Sequence, residues 1–135
     1  MSELTNINLV TPLELLVSKE VKMAVMPGTD GDLGIMVKHT PLMTLLRRGF
    51  VKLYDDGNNL IQEIAVDGGV AEVNEQNITI LCERAETINT VNKQIIEEKI
   101  KNCEKQINDN DDTTSTSAKK ESDFLYFVLN NLPFY

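Results

Sequence analysis

The side chains that could support catalysis are few in this chain, and their spacing does not favour it. His39 is the single histidine among 135 residues, which excludes any mechanism that needs two imidazoles. A serine nucleophile needs an activating base and commonly a sharp turn such as G-x-S-x-G. None of the serines lies in that setting: Ser2, Ser18, Ser115, Ser117 and Ser122. We therefore expect a protein without catalytic residues of its own.

Residues 28–34, GTDGDLG, are the second place where chemistry could be sought. Their glycine content is that of a phosphate-binding loop, but no Lys-Ser or Lys-Thr follows, and two aspartates would repel a phosphate. The carboxylates of Asp30 and Asp32 are too few for an EF-hand, whose ligands extend to a twelfth position. Two interpretations of Asp30, Gly31 and Asp32 stay open: a solvated turn, or an acidic loop that contacts a partner.

Cys82 and Cys103 are the two cysteines, and the chain lacks the paired C-x-x-C units of a zinc site. The first ten residues show no basic region followed by an apolar run, so no secretion signal is predicted. We expect both thiols to be reduced in a cytosol and to act as small apolar side chains. The sequence predicts no cofactor and no metal site.

The acidic balance of the chain limits its partners. A formal net charge of −8 and a pI near 4.6 argue against nucleic acid, which proteins bind largely through Lys and Arg. The same balance argues against a polybasic membrane-surface patch. No apolar run of about 18 residues is present, so direct membrane insertion is not expected. Arg47 and Arg48 are interpreted as a solvated strand end, since two charges alone do not make an anion site.

Between residues 7 and 82 the chain alternates short β-prone runs with Gly-, Asn- and Asp-rich clusters that are typical of tight turns. Several runs alternate apolar and polar residues, as a half-buried strand does. Gly68 and Gly69 are interpreted as one of the turns. Nine or so short antiparallel strands at this spacing predict a sandwich or a barrel. The runs are INLVT, ELLVSK, VKMAVM, GIMV, LMTLL, FVKLY, LIQEIAV, GVAEV and NITIL.

After about residue 86 the pattern becomes helical. Apolar residues recur at steps of 4, 3 and 4, which predicts one narrow stripe along an α-helix: Ile96, Ile100, Cys103 and Ile107. Thr90 is a suitable N-cap. The polar run at residues 108–117 is expected to end this helix, and Ser117 to cap a second one over residues 118–131 that Pro133 closes. The two helices are predicted to form a hairpin.

The end of the chain is unusually apolar. Six consecutive apolar residues occur in FLYFVLNNL, so on a helix they would point to every side. Such a segment is either buried on two sides or forms a patch that awaits a partner.

The order of these features resembles the epsilon subunit of F-type ATP synthases, in its bacterial form. The motif PG-x-x-G-x-LGI-x-x-x-H-x-PL is followed by DGG-x-AEV, then ITIL and RAE, and the resemblance covers residues 7 to about 90. The matching positions are Pro27, Gly28, Gly31, Leu33, Gly34, Ile35, His39, Pro41, Leu42 and Gly49, then Gly68, Gly69, Glu72, Val73, Ile78, Ile80, Leu81 and Ala85.

The resemblance implies a ten-stranded β-sandwich in residues 1–87 and a two-helix hairpin in residues 88–135. It further implies a non-catalytic rotor subunit of the central stalk, which binds the gamma subunit and the c-subunit ring. This subunit couples proton flow to ATP synthesis at the cytoplasmic face of the bacterial inner membrane. By resemblance, Asp30, Gly31 and Asp32 would face the c-ring, while Thr11, His39 and Thr44 would lie towards gamma.

In this family the helical hairpin can extend towards the alpha and beta subunits and block the catalytic head. Some members bind ATP through an I-D-x-x-R-A signature at the first helix. Asn89 and Asn92 replace the Asp and the Arg here, so we predict no useful nucleotide binding. The alternative to a stalk subunit is a free-standing β-sandwich adaptor that binds a protein partner through its helices.

Overall fold

The computed structural model describes residues 4–38, 40–88, 93–109 and 112–131, and the side chains of these residues except 106–109 and 112–116. Eight strands precede two helices. The strands are β1 (Thr5–Val10), β2 (Leu15–Val21), β3 (Met23–Gly28), β4 (Gly31–Met36), β5 (Leu42–Tyr54), β6 (Leu60–Val73), β7 (Asn77–Leu81) and β8 (Ala85–Thr87). The helices are α1 (Lys93–Asp109) and α2 (Asp112–Asn130). The predicted class, a β-sandwich followed by two helices, is confirmed.

The eight strands form two layers because β5 and β6 run through both. The strand order is β2-β1-β7-β6-β5-β3-β4, and β8 pairs with β6. The start of β5 and the end of β6 join β7, β1 and β2 in the first layer. The end of β5 and the start of β6 join β8, β3 and β4 in the second layer. Of the strand pairs in the described residues, β1 with β7 is parallel and the others are antiparallel.

The inward faces of both layers supply one core. Period-two alternation directs every second side chain inward, so Ile7 and Leu9 of β1 meet Ile78 and Ile80 of β7 in the first layer. The second layer contributes Ala24, Ile35, Val51, Leu53, Ile64 and Val66 to the same cluster. These side chains are almost fully buried, and their removal from water is the main favourable contribution to the free energy of folding of the sandwich.

The described residues form eight strands, compared with nine predicted runs and the ten strands that the resemblance implies. The number is below nine because two pairs of runs are continuous. LMTLL and FVKLY form the single strand β5, and LIQEIAV and GVAEV form β6. The predicted turn at Gly68 and Gly69 is wrong. The β5–β6 ladder keeps one register from Leu42↔Val73 to Leu53↔Gln62, while positive φ angles of 74° and 136° bend β6 at these glycines. Strand β8 is too short to show in the sequence pattern.

The predicted polar linker at residues 108–117 is also wrong. Helix α2 begins at Asp112, so Ser117 lies inside it and does not cap it. Asp, Ser and Thr cost at most about 0.7 kcal/mol per residue relative to Ala in a helix, so a polar run need not end one. The predicted stripe on α1 is buried at Ile96, Ile100 and Cys103. Thr90 and Pro133 lie outside the described residues.

The apolar end of α2 is largely buried. Phe124, Leu125 and Val128 are at most 1% exposed, which favours the buried interpretation of this segment over an open patch. Tyr126 is exposed and donates a hydrogen bond from its hydroxyl to Glu104 Oε1 of α1 at 2.8 Å. In the described part of the chain, neither helix is long and apolar enough to cross a membrane. Contacts divide the chain into two compact units, Met1–Asn89 and Thr90–Tyr135.

Replacement of Gly69 by Ala should destabilise the sandwich by more than about 2 kcal/mol. A Cβ at this position would meet Leu81 O at 2.4 Å, and the φ of 136° is unfavourable for any L side chain. Urea unfolding followed by circular dichroism measures the loss. Gly34→Ala is the matched control, since its Cβ would meet only Met23 Sδ, at 3.5 Å. Equal stabilities of the two variants would contradict the bend.

The hydrogen bond to Glu104 raises the pKa of Tyr126, because ionisation of the phenol would break that bond. A raised pKa in the folded state means that the bond stabilises the helix pair below the ordinary tyrosine pKa and is lost as the pH rises through the folded value. NMR titration of the Tyr126 ring should therefore give a pKa above that of the Glu104→Gln variant. Coincident titration curves would contradict the bond.

Candidate partner-binding surfaces

The acidic loop predicted at Asp30, Gly31 and Asp32 is the tip of a tight hairpin between β3 and β4. The turn residues are Thr29 and Asp30, and Gly28 pairs with Gly31 across the turn. A Cβ on Gly28 would come within 2.6 Å of Gly31 O, so the strands can approach this closely only with glycine. Gly31 has a φ of 136°. We define residues 28–32 as the acidic hairpin.

Strand β5 crosses the base of the acidic hairpin and holds it. The guanidinium of Arg47 donates to Gly28 O at 2.5 Å through Nη1 and to Asp32 Oδ1 at 2.6 Å through Nη2. The Thr29 amide donates to Leu45 O at 3.1 Å. The interpretation of Arg47 as a solvated strand end is therefore wrong, because its side chain links β5 to both strands of the hairpin.

The two hairpin carboxylates differ in their surroundings. Asp32 is paired with Arg47, whereas no described residue donates a hydrogen bond to exposed Asp30. The neighbouring Arg48 binds a different carboxylate, with its Nε 2.8 Å from Asp67 Oδ1, and Arg84 Nη1 lies 3.5 Å from Asp67 Oδ2. The alternation of a β-strand thus sends adjacent arginines to two separate acids. Whether the hairpin contacts a partner stays a prediction.

The residues predicted to face gamma lie at different places. Thr11 begins the loop between β1 and β2, where its amide donates to Glu14 O at 2.9 Å and its hydroxyl accepts from the Leu13 amide at 3.4 Å. This small turn leaves Leu13 93% exposed. Thr44 is half-buried on β5, opposite Ala71. His39 lies outside the described residues.

An apolar row crosses the outward face of the first layer and ends its β1 segment next to Thr11, whereas Thr44 lies on the inward side of β5. Each member of the row is the register partner of the next, from β5 through β6, β7 and β1 to β2. We define the outer apolar row by these members: Leu45, Val70, Leu81, Val10 and Leu15. Leu45, Leu81 and Leu15 are 61%, 54% and 57% exposed.

The surroundings of the outer apolar row are polar and mildly acidic. The next outward row consists of Met43, Glu72, Thr79, Asn8 and Ser18, so Glu72 carries the only charge within these two rows. Met43 is 71% exposed and extends the apolar surface along β5. Contiguous exposed aliphatic side chains of this kind mark interaction surfaces in folded proteins.

A groove of about 450 Å³ lies along the middle of the outer apolar row. Its lining includes Val10, Val70 and Leu81 of the row, together with Thr11 and Pro12. Cys82, Asp67 and Glu83 also contribute. Predicted residue Thr11 is therefore part of the same surface as the row.

Both cysteines are free and buried, as small apolar residues would be. Burial, with smaller contributions from the charges of Asp67 and Glu83, raises the pKa of Cys82 to about 11. The thiol is thus protonated at neutral pH and is a poor nucleophile. Among the described residues, no group of three or more His, Cys, Asp or Glu side chains could hold a metal ion.

Sequence reasoning missed the outer apolar row, although one signal was present. LMTLL places apolar residues on both alternations of a strand, with Met43 and Leu45 on one side and Leu42 and Leu46 on the other. A half-buried strand should carry polar residues on one side. Arg47 gave no such signal, because the pairing of β5 with the hairpin is set by the tertiary structure.

Cys82 should react with a disulfide reagent at pH 8 about 100-fold or more slower in the folded chain than in urea. With a pKa of about 11, roughly one thiol in a thousand is ionised at that pH, and the side chain is also shielded. Labelling kinetics in a Cys103→Ser background isolate this thiol, and its rate should rise as the pH approaches 10. Rapid labelling of the folded chain at pH 7 would contradict the raised pKa.

Comparison with known proteins gives a consistent result. Residues 4–88 match the family described as ATP synthase, Delta/Epsilon chain, beta-sandwich domain. The chain is 37% identical over 109 residues to the ATP synthase epsilon chain of Paramagnetospirillum magneticum, with 81% of each chain covered. It is 34% identical over 122 residues to that of Rhodospirillum rubrum, with 90% of this chain and 88% of the relative covered.

Solved structures share the fold. A chain of the Euglena gracilis mitochondrial ATP synthase, from a structure of OSCP, F1 and the c-ring, superposes with a TM-score of 0.64 at 14% identity. It covers 96% of this chain and 82% of its own. A chain from the central stalk and c-ring of the Tetrahymena thermophila enzyme gives 0.54 at 15% identity, with 93% and 96% covered.

Proposed function

The chain belongs to the ATP synthase epsilon chain family, and we propose that it is a rotor subunit that couples a turning c-ring to the catalytic head through gamma. Membership of this family makes it a non-catalytic accessory subunit of a membrane-associated complex. Because the relatives are bacterial, the cytoplasmic face of the inner membrane is the proposed location. Protons are the proposed coupling ion.

The outer apolar row is the observation that carries this proposal. Leu45, Leu81 and Leu15 are a little more than half exposed, so covering them would gain roughly half of the about 1.5–3 kcal/mol that full burial of a leucine gives. We propose that gamma covers the row and the groove beside it. Thr11 lines that groove, so it would lie at this contact. Thr44 alternates with Leu45 and lies on the side of β5 that carries Leu42 and Leu46, so it would lie behind the contact rather than in it. A position at the contact is proposed for His39 by resemblance.

The acidic hairpin is the proposed contact with the c-ring. Its tight glycine turn and its attachment to β5 through Arg47 present Asp30, Gly31 and Asp32 on a well-supported loop. Basic loops on the ring would favour carboxylates at this position. The hairpin is formed by β3 and β4 and the row by β1, β2, β5, β6 and β7, so the two contacts need not compete.

For α1 and α2 we propose contacts with the alpha and beta subunits, where the helices would restrain ATP hydrolysis. The family resemblance supports this assignment. The predicted lack of ATP binding concerns Asn89 and Asn92, which lie outside the described residues. A free-standing adaptor that binds a partner through its helices is the alternative, but it leaves the outer apolar row without a role.

The double substitution Leu45→Gln and Leu81→Gln should weaken binding to an assembled alpha–beta–gamma complex by tenfold or more. Each change removes an aliphatic side chain that would be buried against gamma, and about 1.4 kcal/mol corresponds to a factor of ten. Titration of the labelled full-length chain with the complex measures the dissociation constant.

Leu60→Gln is the matched control for this experiment, because Leu60 is 47% exposed but belongs to the second layer. Its affinity should stay within about twofold of the unsubstituted chain, since it lies outside the proposed contact. Equal losses of affinity in the double variant and the control would contradict the proposal that gamma binds the outer apolar row. A natural chain that fails to bind the complex would favour the adaptor alternative.

A further inference from the structure

We propose that Arg47 is the residue that positions the acidic hairpin and selects Asp30, rather than Asp32, as the carboxylate offered to the c-ring. The inference rests on the proposed c-ring contact. It adds that Asp30 contacts the ring while Asp32 is held by Arg47. Arg47 would act through the hairpin and need not touch the ring itself.

The geometry of Arg47 is that of a clamp on both hairpin strands. One guanidinium nitrogen binds the Gly28 carbonyl of β3 at 2.5 Å, and the other binds the Asp32 carboxylate of β4 at 2.6 Å. Arginine suits this role because its donors lie in one rigid plane. Arg47 also belongs to β5, whose Leu45 carbonyl accepts from the Thr29 amide. These three hydrogen bonds, together with the backbone pairing of Gly28 with Leu46, fix the hairpin to β5.

Exposure of the Arg47–Asp32 pair indicates a local role rather than one in global stability. The side chains are 47% and 62% exposed, and exposed ion pairs contribute little to folding. What the clamp does is restrict the hairpin to one conformation before a partner arrives. A preformed loop avoids the entropic cost of ordering on binding.

The clamp also divides the charge of the hairpin. Two carboxylates and one guanidinium leave a net charge of −1, and the cation lies against Asp32. Asp30 occupies the turn itself and accepts no hydrogen bond from a described residue. A basic partner is therefore attracted mainly to Asp30, because Arg47 screens Asp32.

Hydrogen exchange in the isolated full-length chain tests the positioning role without any c-ring. Arg47→Gln should speed exchange of the Thr29 amide about tenfold or more, because the hairpin loses both of its side-chain attachments to β5. Arg47→Lys should restore part of the protection, since it keeps the charge but not the fork. Arg48→Gln is the matched control, and it should leave the Thr29 amide unchanged. Unaltered exchange in Arg47→Gln would overturn the positioning role.

Binding to a purified c-ring in detergent, at low and moderate salt, tests the choice of carboxylate. Asp30→Asn should weaken binding about fivefold or more and reduce its salt dependence, while Asp32→Asn should weaken it by no more than about twofold. Arg47→Gln should also weaken binding, since the loop must then be ordered on contact.

The remaining outcomes separate the inference from the proposed function. A larger loss for Asp32→Asn than for Asp30→Asn, or tighter binding by Arg47→Gln, would overturn the selection of Asp30. If the unsubstituted chain does not bind the ring, the proposed c-ring contact fails, whereas the exchange experiment still decides whether Arg47 positions the hairpin.

Discussion

The long ladder between β5 and β6 is the constraint on which the rest of the sandwich depends. These two strands keep one register from Leu42 to Leu53 of β5, where Arg47 alone lacks a paired residue on β6, and so bind the first layer to the second by backbone hydrogen bonds. The ladder can pass between layers because Gly68 and Gly69 adopt positive φ and bend β6. Both candidate surfaces inherit their positions from it, since β5 supplies Leu45 to one and Arg47 to the other.

Neighbouring residues of β5 thereby serve different surfaces. Leu45 points outward from the first layer, Leu46 is buried in the core, and Arg47 reaches across to the acidic hairpin. Arg48 pairs with Asp67 on β6, and the Asp67 amide donates a hydrogen bond to the Arg84 carbonyl in the following loop. Four consecutive residues of β5 thus contribute to an exposed apolar surface, the core, the contact with the hairpin and an ion pair. A shift of register by one residue would disrupt all four at once.

Much of the fold was predictable, because alternation and turn chemistry are local properties. The sandwich followed from alternation and from the turn residues. The buried stripe of α1 at Ile96, Ile100 and Cys103 followed from helical periodicity. The wrong predictions concern segments in which the tertiary structure overrides the local preference of the residues. Gly68 and Gly69 favour a turn in isolation, but inside a long ladder their positive φ produces a bend. Residues 112–117 are polar enough for a loop, yet the helix extends through them.

The candidate surfaces were less accessible to sequence reasoning. Asp30 and Asp32 were recognisable as an acidic pair, but their different surroundings depend on Arg47, which is 15 residues from Asp32 along the chain. The outer apolar row combines residues from five strands, so no single window of sequence contains it. Such a surface exists only after the strands have paired.

The parallel pairing of β1 with β7 has a consequence for how the protein is made. Ile7 lies beside Ile78, so β1 cannot complete its ladder until the later strand β7 has been synthesised. Until then the hairpin of β1 and β2 has one unsatisfied edge, where backbone amides and carbonyls could pair with another nascent chain. Closure over such a long sequence separation also slows folding. The first layer is therefore completed only when β7 covers this edge.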